Sequence, residues 1–248
     1  MESFEWFDCF AAIGLVDRKA PRFAPDADAL LAEMDFCGLS EALVYHAAHE
    51  LDSPQVANPL IAEACQSRPR LHPTWALLPP QTEELGTVPE FLAAMRRDGV
   101  KALRAYPDRH RYLLNRLTLG PLFEEIIPRR IPLILGPDWP RLTSLLADFP
   151  DLTVIVVRRG DWGDDRYCRP LLERYPRLYL DTSYYQQDGG LEAHVARYGP
   201  DRLLFGSGFP ERQMGGPQLL LAACGIPDDA KAAIAGGNLR RLLSEVNL

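Results

Sequence analysis

The apolar positions of this chain follow two alternating patterns. Short runs such as TVIVV (153–157) and PLILG (132–136) are apolar on both parities. A strand covered on both faces reads that way, as in a parallel sheet. These runs predict strands at 6–10, 42–46, 71–77, 100–106, 131–135, 153–157, 178–181 and 203–205. Between them lie segments of helical spacing with legible ends. Residues 26–38 begin with acidic residues and stop at Gly38; residues 88–99 carry Pro89 in the first turn, Arg96 and Arg97 in the last, and Gly99 after them. Further helices are predicted at 57–67, 119–130, 141–149, 169–175 and 190–198, with two short ones within 228–246 separated by Gly236, Gly237 and Asn238.

Eight strands alternating with helices fit a closed (β/α)8 barrel, for which about 250 residues is the usual size. The chain has 248. No linker or low-complexity tract interrupts it, so residues 1–248 read as one domain. An open doubly wound sheet is the rival arrangement, but neither a GxGxxG turn nor a P-loop is present.

Composition narrows the function classes. A net charge of −7 argues against a general nucleic-acid or membrane-surface binder, which would carry a broad basic face. Five cysteines without CxxC spacing read as free thiols in a reducing compartment. No basic start with a long apolar run marks a signal peptide, so the cytoplasm is the expected location. Association into a homo-oligomer stays open, since no apolar stripe singles out an interface.

Several segments, in order, resemble the amidohydrolase-related family of metal-dependent hydrolases and decarboxylases, which also contains metal-independent lactonases. FDCFAAIG (7–14) resembles that family's first-strand motif D-x-H-x-H-x-G, and GVKALRAYP (99–107) and RRIPLILG (129–136) its fourth and fifth strands. PDLTVIVVRRGDW (150–162) resembles the sixth, RLLFGSGFP (202–210) the eighth, and GGNLRRLL (236–243) the closing helix. The resemblance implies an amidohydrolase-like TIM barrel. It also implies metal ligands, and these are replaced. The histidine positions fall on Phe10 and Ala12, on Gly136 or Leu135, and on Arg158; the aspartate position falls on Gly208. Arg104 on the fourth strand cannot form the carbamate that a lysine forms elsewhere in the superfamily. Aliphatic and aromatic side chains offer no lone pair to a cation, and a guanidinium repels one. No metal ligand and no cofactor are therefore expected, the less favoured alternative being a relocated metal site built from His46, His49, Cys9 or Asp181.

Chemistry in such barrels sits at the C-terminal strand ends and the loops after them. Arg158 is the most informative position there: it either holds an anionic ligand bidentately or pairs with an internal carboxylate such as Asp8 or Asp181. Arg159 has the opposite strand parity, and Asp161 lies in the same loop. His46 is the preferred proton-transfer group, with Asp181 as a second, and Arg158 completes the catalytic set. Arg104, Tyr106, Arg111, Trp75, Tyr184 and Arg212 are the expected substrate-binding residues. His49, Glu211, Asp138, Tyr112 and Ser183 are weaker candidates, and Cys9, of opposite parity to Phe10, reads as an inert thiol. His72 and His194 read as structural, the latter on a surface helix.

The expectation is a metal-independent hydrolase or lyase for a small anionic molecule, a carboxylated lactone or enol acid. The alternative is a non-catalytic descendant that binds a metabolite or a partner protein through the same mouth.

Overall fold

The computed structural model describes residues 4–14, 23–158, 160, 163–185 and 187–248. Arg159 and Asp161 lie outside the described residues. Eight parallel strands stand side by side in chain order: β1 (Phe7–Ile13), β2 (Glu41–His46), β3 (Leu71–Ala76), β4 (Ala102–Arg104), β5 (Leu133–Leu135), β6 (Val154–Val156), β7 (Leu178–Asp181) and β8 (Leu203–Leu204). All eight predicted strands are present. The outer layer comprises α1 (Ala27–Cys37), α2 (Ala48–Leu51), α3 (Pro54–Cys65), α4 (Val88–Arg97), α5 (Pro107–His110), α6 (Arg116–Ile126), α7 (Trp139–Asp148), α8 (Asp165–Arg174), α9 (Gly190–Tyr198), α10 (Gly215–Ala223), α11 (Asp228–Ala232) and α12 (Asn238–Ser244). None of the described helices is long and apolar enough to cross a membrane.

The cylinder closes where β8 meets β1. Cys9 N–H donates to Phe205 O (2.9 Å), Ala12 N–H to Phe209 O (3.0 Å) and Gly208 N–H to Phe10 O (3.1 Å). Buried Asp8 reinforces this seam, its Oδ1 accepting from the N–H groups of Phe10 (2.9 Å) and Ser207 (2.8 Å). The result is a (β/α)8 barrel.

Outward-facing residues such as Val44, Leu103 and Val154 form one buried cluster with the helices. A second cluster fills the cylinder, with Phe7, Cys9, Phe10, Leu43, Tyr45 and Ile134 among its members, and Leu239, Leu242 and Leu243 of α12 joining it. Cys9 and Phe10 share this interior despite their opposite parity, because the β1 register shifts between Asp8 and Ala11. A bulge of that kind resets the alternation that sequence reading assumes. His194 is buried, although its helix α9 lies in the outer layer.

The C-terminal segment also departs from the expected pair of separate helices. A π-turn over Ala233–Gly237 joins α11 to α12 without a break. Gly236 permits it, since a Cβ there would stand 2.3 Å from Glu5 O. Asn238 then donates from Nδ2 to the carbonyls of Pro200 (2.8 Å) and Leu203 (2.9 Å), tying the helix to the start of β8.

Candidate functional site

A cavity of about 370 Å³ opens at the C-terminal end of the barrel, on the side of β4 and β5. Its apolar walls include Phe10, Leu114, Ile134, Leu142 and Val157. Arg104, the last residue of β4, lines it and is only 3% exposed. Its Nε donates to Thr74 Oγ1 (2.9 Å), which in turn donates to Val44 O (3.0 Å). The guanidinium lies over the Tyr45 ring, 4.3 Å from the centroid, and 5.5 Å from that of Phe10. These contacts stabilise a cation without neutralising it.

Arg104 Nη2 is buried and has no hydrogen-bond partner. Among the described residues no carboxylate stands within ion-pair distance of this guanidinium. The Tyr106 hydroxyl, also in the cavity wall, is likewise buried; it lies beside the Arg104 guanidinium but makes no hydrogen bond of ordinary geometry. Burial pushes the Tyr106 phenol up to about 12, against the opposing pull of the Arg104 charge. At neutral pH it therefore keeps its proton. Two donors, one cationic and one neutral, are left unused in the same enclosure. Buried polar groups are ordinarily satisfied, so each such exception calls for a reason.

Arg158 follows β6 with φ of 62°, a left-handed conformation that costs energy for any side chain but glycine. Its guanidinium sits over Phe10, 5.0 Å from the ring centroid, and Nη2 donates to Tyr45 Oη at 3.4 Å. The mouth is thus capped by Phe10 and Arg158 together. Arg158 does have carboxylate partners, and they are Glu50 (3.3 Å) and Glu211, rather than Asp8 or Asp181. Glu211 also accepts from the Tyr184 hydroxyl, and Arg212 stacks on the Tyr184 ring at 4.2 Å. A chain of polar contacts therefore runs across the rim from β6 to the loops after β7 and β8.

Arg104, Tyr106 and Arg158 converge on one cavity; the other six expected site residues do not line it. His46 ends β2 on the parity opposite to inward-facing Tyr45. Its Nδ1 accepts from Ala48 N–H (3.1 Å), and its ring packs against Gly14. Partial burial pulls its pKa below the ordinary histidine value. Asp181 is fully buried at the end of β7, accepting from Ser183 Oγ beside Gly206. Trp75 faces the helical layer and packs against Phe91, 5.8 Å between ring centroids. Arg111, left-handed at the end of α5, belongs to a neighbouring groove with Asp52 and Glu84. Tyr184 and Arg212 lie on the rim as described.

Several groups were not singled out by sequence. Glu50, on short α2, lines the cavity and holds Arg158. Arg141 lines it too, bound by Asp108 (2.8 Å) and Asp138 (3.0 Å). Tyr45 could have been found from β2 alone, since its parity matches Leu43 in the interior. Nearby His49 is locked: Nδ1 accepts from His46 N–H (3.3 Å) and Nε2 donates to Asn58 Oδ1 (2.9 Å). Burial lowers its pKa to about 3, so it is neutral and structural. Cys9 is buried, and burial with the nearby Asp181 and Asp8 charges raises its pKa well above the ordinary thiol value. It is not an activated nucleophile.

The strand ends do not fit a divalent cation. Phe10 and Ala12 on β1, Gly136 after β5, Arg158 after β6 and Gly208 after β8 supply no lone pair among them. Among the described residues no group of three His, Cys, Asp or Glu side chains could hold a metal ion. A hydrolytic metal needs three or four such ligands.

Known structures share this architecture. An uncharacterized TIM-barrel protein from Bordetella bronchiseptica superposes with a TM-score of 0.74 at 21% identity, covering 97% of this chain and 99% of that one. A probable 2-pyrone-4,6-dicarboxylic acid hydrolase from Acinetobacter baumannii, with citric acid bound, gives 0.72 at 14% identity over 97% and 99% of the two chains. The 5-carboxyvanillate decarboxylase of Novosphingobium aromaticivorans, complexed with manganese and 4-hydroxy-3-methoxy-5-nitrobenzoic acid, gives 0.72 at 15% over 97% and 96%. At such identities these likenesses establish the fold alone. No curated protein sequence matches the chain. The family model described as Amidohydrolase matches residues 6–244, nearly the whole length of the barrel. The chain belongs to the amidohydrolase family, as a divergent member in which, among the described residues, no group of three His, Cys, Asp or Glu side chains could hold a metal ion.

Proposed function

We propose that this chain is a hydrolase or lyase for a small carboxylated molecule, working without a divalent cation at the strand ends. One observation carries the reading: buried Arg104 Nη2 has no partner in a cavity that it lines. A ligand carboxylate between Arg104 Nη2 and the Tyr106 hydroxyl would satisfy both donors in charge-assisted bonds. The apolar walls suit a flat ring or lactone body. Two structural neighbours are named for carboxylated pyrone and aromatic compounds, which is chemistry of the same kind. In this reading Arg104 anchors the substrate and protonated Tyr106 is the available proton donor. Arg158, already bound to Glu50 and Glu211, closes the mouth.

A second reading, a non-catalytic binder of the same ligands, is favoured by one feature. Neither His46 nor Asp181 lines the cavity, so neither proton-transfer candidate stands against a ligand there. The two readings part on turnover. A thermal-shift screen of aromatic carboxylates and carboxylated lactones, run on native protein and on Arg104→Met, identifies ligands that require Arg104. Incubating those ligands with metal-free protein and following ring opening or carbon dioxide release by mass spectrometry then separates enzyme from binder. Equal stabilisation of native and Arg104→Met protein by every ligand would reject the site.

A further inference from the structure

We infer that Glu50 sets the charge of the accepted ligand, making the cavity selective for monoanions over dianions. This deepens the carboxylate-site reading above and rests on it.

Four arginines line the cavity: Arg104, Arg109, Arg141 and Arg158. Their charges are not equally available. Arg141 is held on both terminal nitrogens by Asp108 and Asp138. Arg109 is exposed on α5, where water and salt screen it. Arg158 donates from Nη2 to Glu50 and to Glu211. Arg104 alone among these four is buried and without a carboxylate from the described residues. The interior therefore offers one buried positive charge that no ion pair from the described residues compensates.

A ligand with a second anionic group finds no other buried, unpaired cation to receive it. To reach Arg158 it must displace Glu50 or Glu211; elsewhere on that wall it meets Asp108 and Asp138. Either arrangement brings like charges together in a partly desolvated space, which is how sites reject the wrong ligand. Glu50 is the better-placed gatekeeper, its side chain 18% exposed against 32% for Glu211. It is also held rigidly. The residue before it, His49, is fixed to Asn58, and Asn58 bridges to β3 through Ala76 N–H (2.8 Å) and Ala76 O (2.9 Å). Among the described residues Glu50 pairs with Arg158 and not with Arg104, so its effect is on selectivity rather than on anchoring.

The test compares benzoate with benzene-1,3-dicarboxylate by calorimetry on native protein, Glu50→Gln, and Glu50→Gln combined with Arg158→Met. Native protein is expected to bind benzoate the tighter. In Glu50→Gln the freed Arg158 donors should shift the ratio toward the dicarboxylate by about tenfold, the worth of one charge-assisted hydrogen bond. Adding Arg158→Met should return the ratio to its native value, which a general loosening of the fold would not do. An unchanged ratio in Glu50→Gln, with benzoate still bound through Arg104, overturns the inference and leaves the carboxylate site standing. Native preference for the dicarboxylate also overturns it. If Arg104→Met binds both probes as well as native protein does, the underlying site reading fails and this inference falls with it.

Discussion

The guanidinium of Arg104 rests on the Tyr45 ring at 4.3 Å while its Nε is pinned by Thr74 Oγ1 at 2.9 Å. One edge of the group is thus fixed, and the Nη2 edge is left without a partner. Burying a guanidinium this way is costly unless something anionic arrives, because burial removes its hydration and the rings return only part of it.

Replacing Arg104 by Met should therefore separate stability from binding. Thr74 keeps its own bond to Val44 O, and an apolar side chain of similar reach removes the buried charge. Unfolding free energy without ligand is expected to hold or to rise by about 1–4 kcal/mol. Stabilisation by aromatic carboxylates should disappear. Denaturant titration with and without benzoate measures both; a variant that loses stability but keeps ligand response contradicts the assignment.

Metal content is a second check. With Phe10, Ala12, Gly136, Arg158 and Gly208 at the strand ends, purified protein should carry less than stoichiometric zinc or manganese by atomic emission. Chelator should leave its melting temperature unchanged. One equivalent of tightly bound metal would mean that a site has been built from other residues.

His49 gives the fold an acid-side weakness. Its pKa is lowered to about 3 in the native state by burial, against an ordinary value of 6.5. A depressed histidine contributes stability that is present above 6.5 and lost as pH falls toward the native value, because only the unfolded chain takes up the proton. Between pH 6.5 and 5 that loss is about 2 kcal/mol. His49→Gln should be flatter over this interval in urea unfolding, and identical slopes for the two proteins would show that His49 is not the group responsible.

Asp8 acts in the opposite direction. Burial raises its pKa above 3.8, outweighing the hydrogen bonds from Ser207 and Phe10 and the nearby Arg104 charge. A raised carboxyl stabilises the fold when protonated, and that contribution is lost as pH climbs through the native value. Asn at this position can still accept from Phe10 and Ser207 N–H without ionising. Asp8→Asn should thus gain on native protein as pH rises from 4 to 7, measured by the difference in melting temperature. A constant difference across that range would contradict it.

Much of the fold could be read from the apolar runs, since parallel strands buried on both faces leave a pattern that single residues cannot disguise. The site was legible only where one strand end specified it. Arg104 and Tyr106 lie at the end of β4 and just beyond it, where such barrels carry their chemistry. The partners of Arg158 were not legible, because Glu50 on α2 and Glu211 after β8 lie 108 and 53 residues away. Nor was the shared burial of Cys9 and Phe10, which depends on a bulge that no spacing announces. His46 and Trp75 end up outside the cavity for a related reason: a place near a strand's C-terminal end does not by itself say which face a side chain takes.

The cap formed by Phe10 and Arg158 divides the top of the barrel into two territories. The loops after β7 and β8 serve as a brace for Arg158, whereas the doorway lies between the loops after β4 and β5. Loop grafting aimed at new substrates should accordingly start at residues 105–114 and 136–142, because the opposite half of the rim is scaffolding.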